Sequence, residues 1–251
     1  MNMQLLNDTL TVAVDDQGQG RAYLLLHGGA GPASMAGLAA ALSARARVLT
    51  PTHPGFNGEP RPEGFSSAGD LANAYLDLLD RLGIRDVLIV GNSFGGWVAA
   101  EMALLQPRRV AGIVLLNAVG IDGAIVDPVG LAPAERAAKA FHNPQRYSLA
   151  PTTPEGAAMM AANHAALRAY AGQPFMHDPT LRARLAGLQV AALVAWGASD
   201  GIVDVAYGRR LCDSMPGAVF AVVEEAGHFP HIEQLQQVLD LIDDFSRVQM
   251  L

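Results

Sequence analysis

A single cysteine, Cys212, stands in this chain of 251 residues. No internal disulfide can form, so the fold must be held by its core. Cys212 lies in Gly208-Arg209-Arg210-Leu211-Cys212-Asp213-Ser214. That stretch reads as ordinary helix with no glycine-framed turn, and a partly buried structural thiol is expected there. Charge is sparse as well, at 16% of residues, and its basic side is the weaker: 17 Lys and Arg against 24 Asp and Glu, a net charge of −7. With no basic stripe, neither nucleic acid nor an anionic membrane surface is an expected partner. No apolar run is long enough to span a bilayer. The opening Met1-Asn2-Met3-Gln4-Leu5-Leu6-Asn7 has no positive stretch followed by an apolar core. No secretory signal is therefore expected, and the cytoplasm is the expected compartment. Neither a glycine-rich nucleotide fingerprint nor a metal-ligand cluster is visible, so no cofactor and no metal are expected.

Hydrophobic residues, at 51%, are abundant enough for a full core. Short apolar runs alternate with amphipathic helical patterns, which implies β-α units and an α/β fold with a mostly parallel, twisted sheet flanked by helices. Strands are expected over 9–14, 22–26, 47–50, 87–90, 110–116, 190–196 and 218–223. Helices are expected over 33–43, 68–82, 94–106, 205–214 and 232–248. Leu71, Tyr75, Leu78, Leu79 and Leu82 share one face of the second of these and are read as packing against the sheet. Between 118 and 187 the strand pattern stops. Helices over 133–141, 154–171 and 179–185 suggest a helical cap inserted in a core formed by 1–117 and 188–251. An insertion there would cover the carboxyl ends of the strands, where open α/β sheets bind ligands.

The most informative stretch is Val87-Leu88-Ile89-Val90-Gly91-Asn92-Ser93-Phe94-Gly95-Gly96-Trp97. A buried strand runs through G-x-S-x-G into a helix, the context of a nucleophile elbow. The turn aims helical N–H groups at the space above Ser93, which suits a developing negative charge. Trp97, one turn further on, is expected in the core. A serine hydroxyl is a weak nucleophile and needs a base oriented by a third group. Downstream, Leu193-Val194-Ala195-Trp196-Gly197-Ala198-Ser199-Asp200 is a strand followed by a glycine turn bearing a carboxylate. Val222-Val223-Glu224-Glu225-Ala226-Gly227-His228-Phe229-Pro230 is a strand, a loop and a histidine before the last helix. Both loops leave the sheet at the edge that carries Ser93, in the chain order Ser, Asp, His. Asp204 competes as the acid but reads as a helix cap. His231 is expected to pack or cap, and with His228 it lacks a third metal ligand.

Four motifs in order carry a resemblance: His27-Gly28-Gly29-Ala30, Gly91-Asn92-Ser93-Phe94-Gly95, Trp196-Gly197-Ala198-Ser199-Asp200 and Gly227-His228. Over essentially its full length the chain resembles an α/β-hydrolase-fold serine hydrolase. The resemblance implies Ser93 as nucleophile, His228 as base and acid, and Asp200 as the residue that orients the imidazole. It implies oxyanion donors at the backbone N–H of Phe94 and, from the loop after the 22–26 strand, Gly29. Gly28 and Phe229 are expected beside the substrate. His27 is expected to anchor the oxyanion loop. Some relatives place their acid where Asp122 stands. Relatives often carry an acidic residue before the Pro-Gly after the 47–50 strand; here His53 stands there, and an altered loop hydrogen bond is the expected effect. His142, His164 and His177 read as surface or lid histidines.

Serine at the elbow disfavours haloalkane dehalogenase and epoxide hydrolase chemistry, whose enzymes use aspartate. The expected reaction is hydrolysis of a small carboxylic ester through an acyl-enzyme, with a small-molecule partner. C–C hydrolysis of a ring-cleavage diketone is the alternative, suggested by Gly91-Asn92-Ser93-Phe94-Gly95-Gly96. Against it, that branch tends to carry Trp where Phe229 stands. It also uses a cap arginine on the substrate carboxylate, for which Arg168 is the candidate. Lactonase or perhydrolase activity would use the same triad, and a non-catalytic binding protein could share the fold.

Overall fold

A computed structural model describes residues 1–106 and 108–248. The chain opens with β1 (Asn2–Leu5) and β2 (Leu10–Gln17), then β3 (Ala22–Leu26), α1 (Ala36–Ser43), β4 (Arg47–Pro51), α2 (Ala68–Arg81), β5 (Val87–Asn92), α3 (Phe94–Leu105) and β6 (Val110–Leu116). Three helices follow without a strand: α4 (Pro133–Ala140), α5 (Pro154–Tyr170) and α6 (Leu181–Leu185). The sheet resumes with β7 (Ala191–Gly197), α7 (Val205–Asp213) and β8 (Val219–Val223), and the chain closes with α8 (Pro230–Glu233) and α9 (Leu235–Val248). The strands form one eight-stranded sheet in the order β1-β2-β4-β3-β5-β6-β7-β8. The pairs β1–β2 and β2–β4 are antiparallel and the rest parallel. Among the described residues no helix is long and apolar enough to cross a membrane.

The central strands are apolar throughout because helices cover both faces. Successive side chains alternate between two cores. Leu24, Leu26, Ile89, Ile113 and Leu115 pack with Leu71, Tyr75 and Leu78 of α2 and Met102 of α3. Leu25, Leu88, Val90, Val114 and Leu116 pack with Leu38 and Leu42 of α1 and Val238, Ile242 and Phe245 of α9. The α2 stripe is thus core, as its spacing implies. Its start is set by a capping box in which Ser67 and Asp70 satisfy each other's backbone N–H groups. Cys212 is buried and free, and its thiol donates to the Ala218 carbonyl.

Three sequence expectations are corrected. Strand β1 has no counterpart among the expected strands; it is a four-residue edge strand held by pairing with β2. The helix expected over 33–43 begins as a 3-10 turn, Pro32–Met35, before α1. The helix expected over 232–248 is broken at Gln234, whose φ of −131° and ψ of 54° are not helical.

Strand order reverses at β3, which lies between β4 and β5. Loops leaving β3 and β5 therefore diverge to opposite sides of a crevice, where ligands bind in open α/β sheets. The α4–α6 segment lies across that end and is fastened to it. Arg184 of α6 grips Glu101 of α3 with two bonds of 2.6 and 2.7 Å. Tyr170 of α5 donates to the Pro54 carbonyl at 2.9 Å. The Asn163 side chain accepts from the Asn57 backbone N–H at 2.7 Å and donates to the Asn57 side chain at 3.1 Å.

Candidate active site

Ser93 joins β5 to α3 with φ 53° and ψ −119°, a backbone state that costs of order 1–3 kcal/mol. Its surroundings enforce it. The Ser93 N–H donates to Leu116 O at 2.9 Å, and its carbonyl accepts from Gly96 N at 3.0 Å and Val119 N at 3.3 Å. A side chain on Gly91 would strike the Gly95 carbonyl, and one on Gly95 would strike that of Leu26. The two glycines are a steric condition of the turn. Phe94 opens α3, so its N–H lies in the first turn, where no helical carbonyl can accept it. Its ring is buried against Tyr170, Trp97 and His53.

Asp200 is buried in the loop after β7 and is saturated with donors. Its Oδ1 accepts from the backbone N–H of Ile202 at 2.8 Å and of Val203 at 3.1 Å. Its Oδ2 accepts from Asn117 Nδ2 at 2.7 Å and from His228 Nδ1 at 2.8 Å. With Nδ1 bound to the carboxylate, Nε2 is the ring nitrogen left for a further partner. The His228 backbone is pinned on both sides. Its N–H donates to the Ala140 carbonyl at 2.8 Å, and its carbonyl accepts from Asn92 Nδ2 at 3.0 Å.

Ser93 and His228 line a cavity of about 450 Å³ between the sheet and α4–α6. Its walls are mostly apolar, with Leu149, Met160, Leu167 and Phe175 among them, and its polar groups include Arg136, Asn163 and His164. Gly29 and Phe229 also line it. Phe229 packs on Phe141 and meets the His228 ring edge-on with centroids 5.2 Å apart. Gly28 lies against the Ser93 side chain.

The histidines behind the site are neutral and interlocked. His27 Nδ1 donates to Gly28 O at 2.8 Å and its Nε2 accepts from His53 N at 3.0 Å. His53 Nε2 donates to His27 O at 2.9 Å, and its Nδ1 accepts from the Tyr75 hydroxyl. Burial pushes His27 down to about 4 and, with His27 beside it, holds His53 well below its ordinary value. His27 thus anchors the glycine loop, and His53 enters the same loop network. His231 is buried beside Phe229, and burial pushes it down to about 4.

Asp204 caps α7, accepting from Tyr207 N at 2.7 Å, as its position implies. Asp122 faces solvent and pairs with Arg182 at 3.7 Å. Trp97 is core and donates to Glu101 at 3.2 Å. Arg168 does not reach the cavity. It is largely exposed and bound to Asp127 at 2.8 Å; Arg136 of α4 lines the wall instead. His164 also lines the cavity, while His142 bonds Ser199 Oγ at 2.8 Å.

Sequence reasoning missed Asn117. It follows the last residue of β6 at φ 48° and, besides holding Asp200, accepts from Gly197 N at 3.2 Å. The signal available was an asparagine closing an apolar strand, since asparagine tolerates the left-handed state.

The alpha/beta hydrolase family model matches residues 23–241. A 2-hydroxymuconate semialdehyde hydrolase of Pseudomonas putida is 30% identical over 251 aligned residues, covering 92% of this chain and 88% of its own. A 2-hydroxy-6-oxo-6-phenylhexa-2,4-dienoate hydrolase of Burkholderia cepacia is 26% identical, covering 93% and 90%. Among solved structures, a meta-cleavage product hydrolase from Pseudomonas fluorescens superposes with a TM-score of 0.81 at 23% identity, covering 98% and 97%. A thermophilic esterase from Thermogutta terrifontis does so at 0.79 and 22%, covering 99% and 98%. At these identities the two superpositions establish the fold.

Proposed function

The chain belongs to the alpha/beta hydrolase family, and from that premise we propose that it is a serine hydrolase of small carboxylic esters. One observation carries the reading: the strained Ser93 and the buried Asp200–His228 pair open into the same apolar chamber. Ser93 attacks the substrate carbonyl while Nε2 of His228 takes its proton. Asp200 holds the ring in the tautomer that leaves Nε2 free and stabilises the imidazolium. The backbone N–H groups of Phe94 and Gly29 receive the oxyanion, each worth about 10²–10³ in rate. His228 returns the proton to the departing alcohol, and water then cleaves the acyl-enzyme by the same route. Residues 118–187 act as the cap, excluding water and limiting substrates to those the chamber holds. Gly28 keeps the oxyanion loop close to Ser93, and Phe229 forms the wall beside the reacting carbonyl.

A second reading, C–C hydrolysis of a ring-cleavage diketone, is favoured by the names of the curated relatives and by Arg136. That guanidinium lines an apolar chamber, and among the described residues it takes part in none of the ion pairs. It would take the carboxylate of such a substrate.

Rapid mixing of the protein with p-nitrophenyl acetate and butyrate tests the main reading. A burst followed by turnover, both lost in Ser93→Ala, is the expected result. A folded wild-type protein with neither burst nor turnover overturns it, and turnover of a dienoate diketone by that same protein would establish the second.

A further inference from the structure

Glu233, on α8, is a buried carboxylate. Among the described residues it forms no ion pair, and its oxygens are spent on backbone N–H groups. Oε2 accepts from Gly227 N at 2.7 Å and from His142 N at 3.1 Å, and Oε1 accepts from Asn143 N at 3.0 Å. Gly227 immediately precedes His228, whereas His142 and Asn143 follow α4 in the cap. The same side chain therefore joins the histidine loop to the cap across 90 residues of sequence.

The backbone between these points is in direct contact. Ala140 O accepts the His228 N–H at 2.8 Å, and Lys139 O accepts that of Gly201, next to Asp200, also at 2.8 Å. A side chain on Gly227 would strike the Ala140 carbonyl, so glycine is what lets the histidine loop lie on the end of α4. His142 adds a bond to Ser199, on the other side of Asp200. The last turn of α4 thus touches the loops of both His228 and Asp200, and Glu233 ties its continuation down. Buried carboxylates hold N–H donors more tightly than neutral acceptors do. An amide in its place keeps one acceptor oxygen and turns an NH₂ group towards a donor.

We propose that Glu233 is a positioning residue that fixes His228 to the end of α4, so that the histidine is correctly placed only while the cap is docked. This rests on the serine-hydrolase reading above. It predicts a rate effect out of proportion to any binding effect, because displacement of a general base by a fraction of an ångström disturbs proton transfer and leaves the chamber walls intact.

The test compares wild type with Glu233→Gln and Glu233→Ala by ester kinetics over a pH series and by amide hydrogen exchange. The expected result for Glu233→Gln is a kcat lowered about 10–100-fold, with KM changed less than about threefold. The histidine limb of the pH profile moves, and exchange quickens together at 140–143 and 226–228. Glu233→Ala, if it folds, loses more. A folded Glu233→Gln with wild-type kcat and pH profile overturns the proposal, even if its melting temperature falls, since that is the mark of a purely structural residue. Faster exchange at one of the two segments alone overturns the coupling. A wild-type protein silent towards esters overturns the preceding reading instead, and the exchange comparison then still decides whether Glu233 links the two segments.

Discussion

Asn117 donates to the Asp200 carboxylate at 2.7 Å while accepting the N–H of Gly197 at 3.2 Å. One amide thus sets both the Asp200 carboxylate and the end of the strand that delivers it. Asn117→Ala removes these two bonds and a longer one from Nδ2 to Gly227 O at 3.4 Å, and leaves an alanine at φ 48°. A buried unpaired N–H costs about 1–3 kcal/mol and the left-handed backbone roughly 1–2 more. A loss of about 2–5 kcal/mol is expected in urea unfolding, together with a lower kcat. An unchanged unfolding midpoint would show that the amide carries no load.

Asp200 and Asp204 are separable by rate. Asp200→Asn removes the charge facing the imidazolium and favours the wrong tautomer, so kcat should fall by about 10³–10⁴. Asp204→Asn keeps a capping side chain, so it should cost only a few tenths of a kcal/mol in stability and leave the rate within about twofold. Equal rate losses in two folded variants would place the acid elsewhere.

Arg136 and Arg168 differ in what they face. For a substrate bearing a distal carboxylate, Arg136→Ala should raise KM about 10–100-fold, the worth of a charged hydrogen bond, while neutral esters change little. Arg168→Ala breaks an exposed pair with Asp127, worth at most about 1 kcal/mol, and should leave both substrates alone. Parallel kinetics on a neutral ester and its ω-carboxylate analogue decide the point.

Acid should unfold the protein through its buried histidines. His27 and His231 titrate at about 4 in the folded chain and at 6.5 when exposed, and His53 is lowered in the same direction by burial. Between those values the unfolded chain binds more protons, so the stabilisation is complete above 6.5 and drains away as pH falls towards 4. Each such group contributes a slope approaching about 1.4 kcal/mol per pH unit. Urea midpoints at pH 7.5 and 5.0 should differ strongly, and His231→Phe should flatten the dependence. A midpoint independent of pH would refute the neutral, interlocked arrangement.

Much of this was legible because its physics is local. The run 87–97 reads as strand, strained turn and helix from residue types alone, and Asp200 and His228 follow strands that periodicity reveals. The chain order then brings all three to one edge. The misses are non-local. Strand β1 is a short edge piece whose existence depends on pairing with β2, and nothing in four residues announces it. Arg136 and Arg168 both sit on helices of the alanine-rich segment between β6 and β7, and which one faces inward depends on how those helices dock. Glu233 looks like a surface glutamate at the start of a helix, and its burial follows from a segment some 90 residues earlier in the chain.

The bonds of Arg184, Tyr170 and Asn163 carry a consequence for traffic. A roof nailed down on α3, on the loop after β4 and on the histidine loop cannot lift as one piece without breaking all of these at once. Entry and exit are then expected at a stretch of wall that none of these bonds holds. Ser148, Leu149, Ala150 and Pro151 line the chamber as exposed or half-buried chain outside any helix or strand. On the serine-hydrolase reading proposed above, this stretch is a side door in a fixed room, and its width, more than the volume behind it, would set which acyl groups pass.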